Sequence, residues 1–148
     1  MVLLPTCTNY PNYDIDKLLS APQQIEIDNR EFALETFMWR DFQPICPPDG
    51  QPMIAIIWVV ATDSLPFPST IDFDYLWVIK DEDNIWVTDF EENETKIQDN
   101  RLEKVARDGP KWKVRPNPLY VDAVVRTKDA AGNTYLLRAA DQIIGVTY

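Results

Sequence analysis

The stretch from residue 72 to residue 94 holds the side chains of this sequence that could do chemistry. It reads DFDYLWVIKDEDNIWVTDFEENE and carries nine carboxylates beside Trp77 and Trp86. Paired carboxylates can hydrolyse glycosides, and converging carboxylates can bind calcium. Exposed tryptophans can stack on sugar rings or anchor a protein partner. Each activity needs a different arrangement of the elements that carry these residues.

A calcium loop of the EF-hand type does not fit this stretch. Such a loop needs an oxygen ligand at its fifth position and glycine at its sixth, whereas counting from Asp81 places Ile85 and Trp86 there. Carboxylates are so frequent here that any one pair says nothing for a hydrolase. We therefore predict no metal site, no catalytic residue and no cofactor. The acidic tip is expected to be solvated and to discourage edge pairing.

The tryptophans are better candidates, because the chain has five of them and a small core needs fewer. Trp58 lies in the apolar run MIAIIWVVA and is expected in the core, whereas Trp77 and Trp86 could simply form a cross-strand pair. Trp112, in the loop GPKWKVRP, either plugs one end of the fold or is exposed among cations, and we favour the plug. The candidate ligand-binding residues are Trp77, Trp86, Trp112, Lys111 and Lys113.

The chain has no histidine and two cysteines. The missing histidine excludes His-dependent nucleophiles, imidazole general bases and His-containing zinc sites. Cys7 and Cys46 are too few for a four-thiolate metal site; they form either one disulfide in an exported protein or two unpaired thiols. Residues 4–7, LPTC, loosely resemble the end of a lipoprotein signal with Cys7 as the lipidated residue. This resemblance implies an exported or envelope-attached protein.

The net charge of −10 is unevenly distributed. Residues 1–100 hold 19 acids and 5 bases, whereas residues 101–148 hold 5 acids and 9 bases. The surplus of carboxylates repels phosphate backbones, so no nucleic-acid partner is expected. The basic third is instead expected to pair with the acidic part inside the fold. No stretch approaches the roughly 20 apolar residues of a membrane span, so none is predicted.

Strand patterns fill the chain from residue 23 onward. YLWVIK and IWVTDF flank DEDN, which predicts an antiparallel hairpin with an exposed tip at residues 81–84. The segment EFALETFMWRDF is apolar on both faces, so we expect it to be covered on more than one side or to lie against the N-terminal arm. Residues 100–108 fit either a capped short helix or a strand, and we favour the strand.

These patterns predict an all-β protein with seven to nine strands and less than about a tenth helix. Residues 1–22, which contain three prolines, form an arm or linker with one helical turn at DIDKLLS. Residues 23–148 form a single antiparallel β-sandwich of the immunoglobulin or fibronectin type III kind, with a small β-barrel as the alternative.

The resulting functional hypothesis is a non-enzymatic module that binds a protein partner. The alternatives are a carbohydrate-binding module and a hydrolase with an unrecognised carboxylate pair. An open apolar sheet face would favour the first, a planar row of exposed aromatics the second, and carboxylates in a deep cleft the third.

Overall fold

The computed structural model describes residues 10–44 and 47–148. Strands make up 55% and helices 6% of them, which confirms the predicted all-β class. The helical elements are α1 (Ile15–Leu19) and a 3-10 turn (Glu92–Glu94). The strands are β1 (Gln24–Ile27), β2 (Arg30–Asp41), β3 (Met53–Ala61), β4 (Asp72–Asp81), β5 (Asn84–Thr88), β6 (Lys96–Gln98), β7 (Arg101–Gly109), β8 (Leu119–Lys128) and β9 (Thr134–Thr147).

All nine strands belong to one curled, mixed sheet. Its order is β5-β4-β8-β9-β2-β3-β7-β6, with β1 paired to β2 beside this path. The pairing of β2 with β9 is parallel and the others are antiparallel. The predicted two-sheet, immunoglobulin-like sandwich is therefore not what the pairing shows. Strand β9 pairs with β8 and also with β2, which joins the two halves that a sandwich would separate into a half-barrel.

The concave side of the sheet holds the main core. Strand side chains point alternately to opposite faces, and β3 alternates strictly between buried and half-buried residues. Trp58 falls on the outer face, so the expectation that it lies in the core is wrong. Its indole N–H donates to Glu103 at 2.9 Å, and the Arg101 guanidinium lies 4.7 Å from its ring centre. The core residues of β3 are Met53, Ala55, Ile57, Val59 and Ala61.

The arm from residue 10 to residue 22 packs on the outer face of the sheet. Its Tyr13 ring meets the Trp77 ring edge-on with centroids 5.4 Å apart. The Pro22 carbonyl accepts a hydrogen bond from the Arg138 N–H at 2.9 Å, which ties the arm to β9. Strand β4 is therefore buried on both faces. The second core cluster, beneath the arm, consists of Leu18, Ala21, Trp77, Ile79 and Val124.

The predicted hairpin and the predicted strand at residues 100–108 are both confirmed. Strands β4 and β5 pair with Ile79 opposite Ile85, and the three acids of the tip are exposed. Val78, and not Trp77, lies opposite Trp86. The two tryptophans consequently point to opposite faces, so the predicted cross-strand pair is wrong. The ambiguous segment is strand β7.

The curl of the sheet brings its two ends into contact. The Trp86 ring of β5 lies against Gly109 of β7, where an added Cβ would be 2.8 Å from the ring. The N–H of Glu91 donates to the Val105 carbonyl at 2.9 Å. These contacts connect β5 and the segment after it, at one end of the strand order, to β7, the last strand but one at the other end.

Replacing Gly109 with alanine is expected to destabilise the protein by about 1 to 3 kcal/mol, because the new methyl group overlaps the Trp86 ring. Gly145→Ala is the matched control, since its added Cβ would meet nothing closer than 3.8 Å. Urea unfolding followed by tryptophan fluorescence measures both variants. Equal free energies of unfolding would contradict the contact between the sheet ends.

Candidate functional site

The structure does not bring the three predicted tryptophans together. Trp77 is 2% exposed beneath the arm, so its ring offers no free surface in this arrangement. Trp86 is half-buried against the main core. Trp112 also packs against that core from the loop between β7 and β8, in the position of a plug. No exposed row of these three rings is available for a sugar.

The two predicted lysines flank this plug. The Lys111 ammonium lies 3.2 Å from the Asp49 carboxylate, and its hydrogen bond holds the pKa of Asp49 below its usual range. Lys113 is exposed to solvent. Cys7 and Cys46, the predicted disulfide pair, lie outside the described residues.

Sequence reasoning missed the buried cation beneath the plug. Arg40 is 3% exposed and donates hydrogen bonds to the carbonyl oxygens of Gln51 and Trp112, each at 3.0 Å, and to that of Asp49. Burial lowers the pKa of Arg40. These bonds join the loop between β2 and β3 to the loop between β7 and β8 at one end of the half-barrel. The available signal was the position of Arg40 two residues after Met38, on the face of β2 that also carries Phe32 and Leu34.

The acidic hairpin tip is part of a turn. One oxygen of Asp81 accepts hydrogen bonds from the Asn84 side chain and the Asp83 N–H, each at 2.9 Å, and these bonds hold the pKa of Asp81 below its usual range. In residues 10–44 and 47–148, no group of three or more Cys, Asp or Glu side chains is arranged to hold a metal ion. The Asp81 carboxylate thus stabilises the turn, and Glu82 and Asp83 are exposed to solvent.

Other acids of the hairpin pair with the basic third of the chain. The Asp74 carboxylate lies 2.5 Å from the Arg126 guanidinium and 3.0 Å from the Lys128 ammonium. Burial raises the pKa of Asp74, but the hydrogen bonds from these two cations outweigh burial and leave the pKa below its usual range. Lys104 pairs with Asp72 at 2.8 Å. The charge asymmetry of the sequence is thus partly neutralised inside the fold.

Every carboxyl group whose pKa is shifted has a lowered pKa. Hydrolysis of a glycoside needs one carboxylic acid whose pKa is raised so that it stays protonated. The shifted carboxyl groups give the hydrolase hypothesis no such acid. Those with lowered pKa values are Asp49, Asp63, Asp74, Asp81, Glu94 and Asp129.

Apolar side chains line up across the outer face of four neighbouring strands; those on β8, β9 and β2 are exposed and the one on β3 is half-buried. Tyr120 of β8 pairs with Ile143 of β9. The parallel register of β9 with β2 continues from Ile144 opposite Met38, which places Ile143 beside Phe37. Phe37 in turn pairs with Ile56 of β3. We call Tyr120, Ile143, Phe37 and Ile56 the apolar stripe.

Three members of the apolar stripe are about half exposed. Tyr120 is 58%, Phe37 54% and Ile143 49% exposed. With about 200 Å² for each large side chain, these three expose roughly 300 Å², the size of the largest patch on a typical monomer. The Trp39 ring flanks the stripe, 5.1 Å from the Phe37 ring.

The sequence contains a signal for this surface. The segment around Phe37 is apolar on both faces, which predicts a strand that is covered on more than one side or lies against the arm. The arm instead covers β4, β8 and the start of β9. Phe37 on the outer face of β2 is 54% exposed, so residues 10–44 and 47–148 do not provide the covering expected there.

Comparison of the chain with protein-family models, with curated proteins and with solved structures found no match. None of the helices in the described part of the chain has the length and apolar character needed to cross a membrane.

Asp74→Asn is expected to cost about 2 kcal/mol at pH 7, because it removes charged hydrogen bonds from Arg126 and Lys128. The folded-state pKa of Asp74 is depressed, so its stabilisation is present above the unfolded pKa of about 3.9 and is lost as pH falls through the folded pKa. The gap in stability between wild type and variant should therefore narrow from pH 6 to pH 3.

The control for this measurement is Asp83→Asn, an exposed acid of the hairpin tip. Its gap from wild type in urea unfolding should stay near zero at both pH values. A constant gap for Asp74→Asn across this range would contradict the ion-pair interpretation.

Proposed function

We propose that this protein is a non-enzymatic module that binds another protein through the apolar stripe. The observation that supports it is the side-by-side exposure of Tyr120, Ile143 and Phe37 on one sheet face. An open apolar sheet face is the feature that favours protein binding over sugar binding or hydrolysis. An exported or envelope-attached location belongs to the proposal, and its support is the LPTC stretch alone.

The stripe has the form of an interface centre. A standard interface buries about 800 Å² on each partner, so the roughly 300 Å² of the stripe would be its apolar middle. Aromatic anchors such as Phe37 and Tyr120 lose little conformational entropy on binding. Beside them, Glu35 and Arg101 form a half-exposed ion pair at 3.9 Å, which suits the polar rim. Because the stripe lies on hydrogen-bonded strands, its shape is fixed before a partner arrives.

Carbohydrate binding is the second candidate function, at the same place but not at the tryptophans first considered. The Phe37 and Trp39 rings are adjacent, inclined at 32°, and could present one broad aromatic surface. Glu35 and Asp41 lie on the same outer face of β2 and could bond sugar hydroxyls. The aliphatic members of the stripe, Ile143 and Ile56, have no role in this alternative.

The double variant Phe37→Thr/Ile143→Thr is expected to lose the partner while it keeps the fold. Threonine retains strand propensity but removes the apolar anchors. Affinity capture from the source organism's extract, quantified by mass spectrometry, should give at least one protein enriched about tenfold or more by wild type and not by the variant.

Ile97→Thr is the matched control, since Ile97 is 51% exposed on the short strand β6, outside the stripe. It should capture the same protein as wild type. Identical capture by all three proteins would refute the stripe as the docking surface. Binding of oligosaccharides that is lost in Phe37→Thr but kept in Ile143→Thr would favour the carbohydrate alternative.

A further inference from the structure

A groove opens at the Tyr120 end of the apolar stripe, where α1 meets β4 and β8. Its volume is about 470 Å³. Tyr120 belongs to both the groove and the stripe, and Leu19 of α1, 38% exposed, extends the apolar surface into the groove. The apolar lining consists of Ile15, Leu19, Ile79, Tyr120 and Val121.

The charged lining of this groove has an acidic surplus. It contains Asp16, Asp81, Glu82 and Asp122, against Lys80. Arg138 neutralises Asp122 at 3.1 Å, and Asp81 is occupied in the hairpin turn. Asp16 and Glu82 are exposed, and neither forms an ion pair within residues 10–44 and 47–148. The unpaired charges of the lining are therefore the carboxylates of Asp16 and Glu82 and the single ammonium of Lys80, which leaves a negative surplus.

The opposite end of the stripe is electrically different. There Glu35 lies by Arg101, and Glu103 lies 3.7 Å from the Lys96 ammonium. The charges on that side balance, so the groove gives the docking surface one acidic end. A second copy of the chain, itself at −10, would bring like charges toward this end. A partner with positive charge at the matching position would not meet this repulsion.

We propose, resting on the proposed function, that the partner presents a basic segment to this groove. One or more Lys or Arg side chains lie between Asp16 and Glu82, their aliphatic stems rest on Leu19 and Tyr120, and neighbouring apolar residues cover the stripe. Lysine and arginine suit such a site because their long stems are apolar and their ends are charged. Charge complementarity of this kind speeds association and fixes the orientation of the partner.

The test uses the full chain and two synthetic fluorescein-labelled peptides of equal length. One alternates leucine with lysine and the other alternates leucine with glutamate. Fluorescence anisotropy measures their binding at low and high salt. The lysine peptide is expected to bind more tightly, and to weaken as salt rises because exposed charges are screened.

The deciding comparison is between two double variants with the same change in net charge. Asp16→Asn/Glu82→Gln should weaken binding of the lysine peptide by about three- to tenfold, as expected when the free energies of two exposed ion pairs add. Glu91→Gln/Glu92→Gln neutralises two exposed acids outside the groove and should weaken it by less than about twofold. Equal weakening by both double variants, or equal binding of both peptides, would overturn the basic-segment inference.

The apolar stripe is tested separately in the same assay. If Phe37→Thr/Ile143→Thr weakens peptide binding but Asp16→Asn/Glu82→Gln does not, the result supports docking at the stripe and overturns the basic-segment inference. The reverse result overturns docking at the stripe and supports the basic-segment inference. Sedimentation of the unlabelled chain covers the second-copy alternative. Dimerisation that strengthens with salt and is lost in Phe37→Thr/Ile143→Thr would also overturn the basic-segment inference.

Discussion

A single curled sheet has two faces, and its concave side can bury only one of them. Strand β4 is apolar on both faces, and its outer Trp77 and Ile79 are buried only because the arm lies over them. The strands β2 and β3 are also apolar on both faces, but no described residue covers Phe37. The concave core buries the inner faces of these strands, and the short arm buries the outer face of β4. The apolar stripe is the part of the outer face that neither of them covers.

The order of the strands in the sheet also determines which charged side chains meet. The basic last third of the chain forms β7, β8 and β9, which lie among the acidic strands, so its cations reach carboxylates far away in sequence. Arg126 and Lys128 meet Asp74, and Lys104 bridges to Asp72 where the sheet ends approach. The acids of the hairpin tip and Asp16 beside α1 are among those that form no ion pair in residues 10–44 and 47–148.

Local patterns predicted what local physics decides. The hairpin around residues 81–84, the strand at β7 and the helical turn in the arm all depend on neighbours in sequence, and all appear in the structure. The pairing of β2 with β9 does not depend on sequence neighbours. Thr36 forms a hydrogen bond with Gln142, 106 residues away, and no local pattern predicts such a pairing. A run that is apolar at every residue does not indicate which face of a strand points inward, so the pattern could not assign Trp58 and Trp77 to a face.

The outer face of β7 carries polar residues, so apolar residues do not cover the whole outer face of this sheet. There Arg101 and Glu103 follow the usual rule for a solvated face, with polar side chains outward. One strand away the rule fails at Ile56, and two strands away it fails at Phe37, with nothing in the described fold that requires an apolar residue at either place. Exposed apolar side chains favour aggregation, and a bound partner would cover them. The stripe differs from the surface under the arm in this respect: burial beneath the arm accounts for that surface, whereas the proposed docking of a partner would account for the stripe.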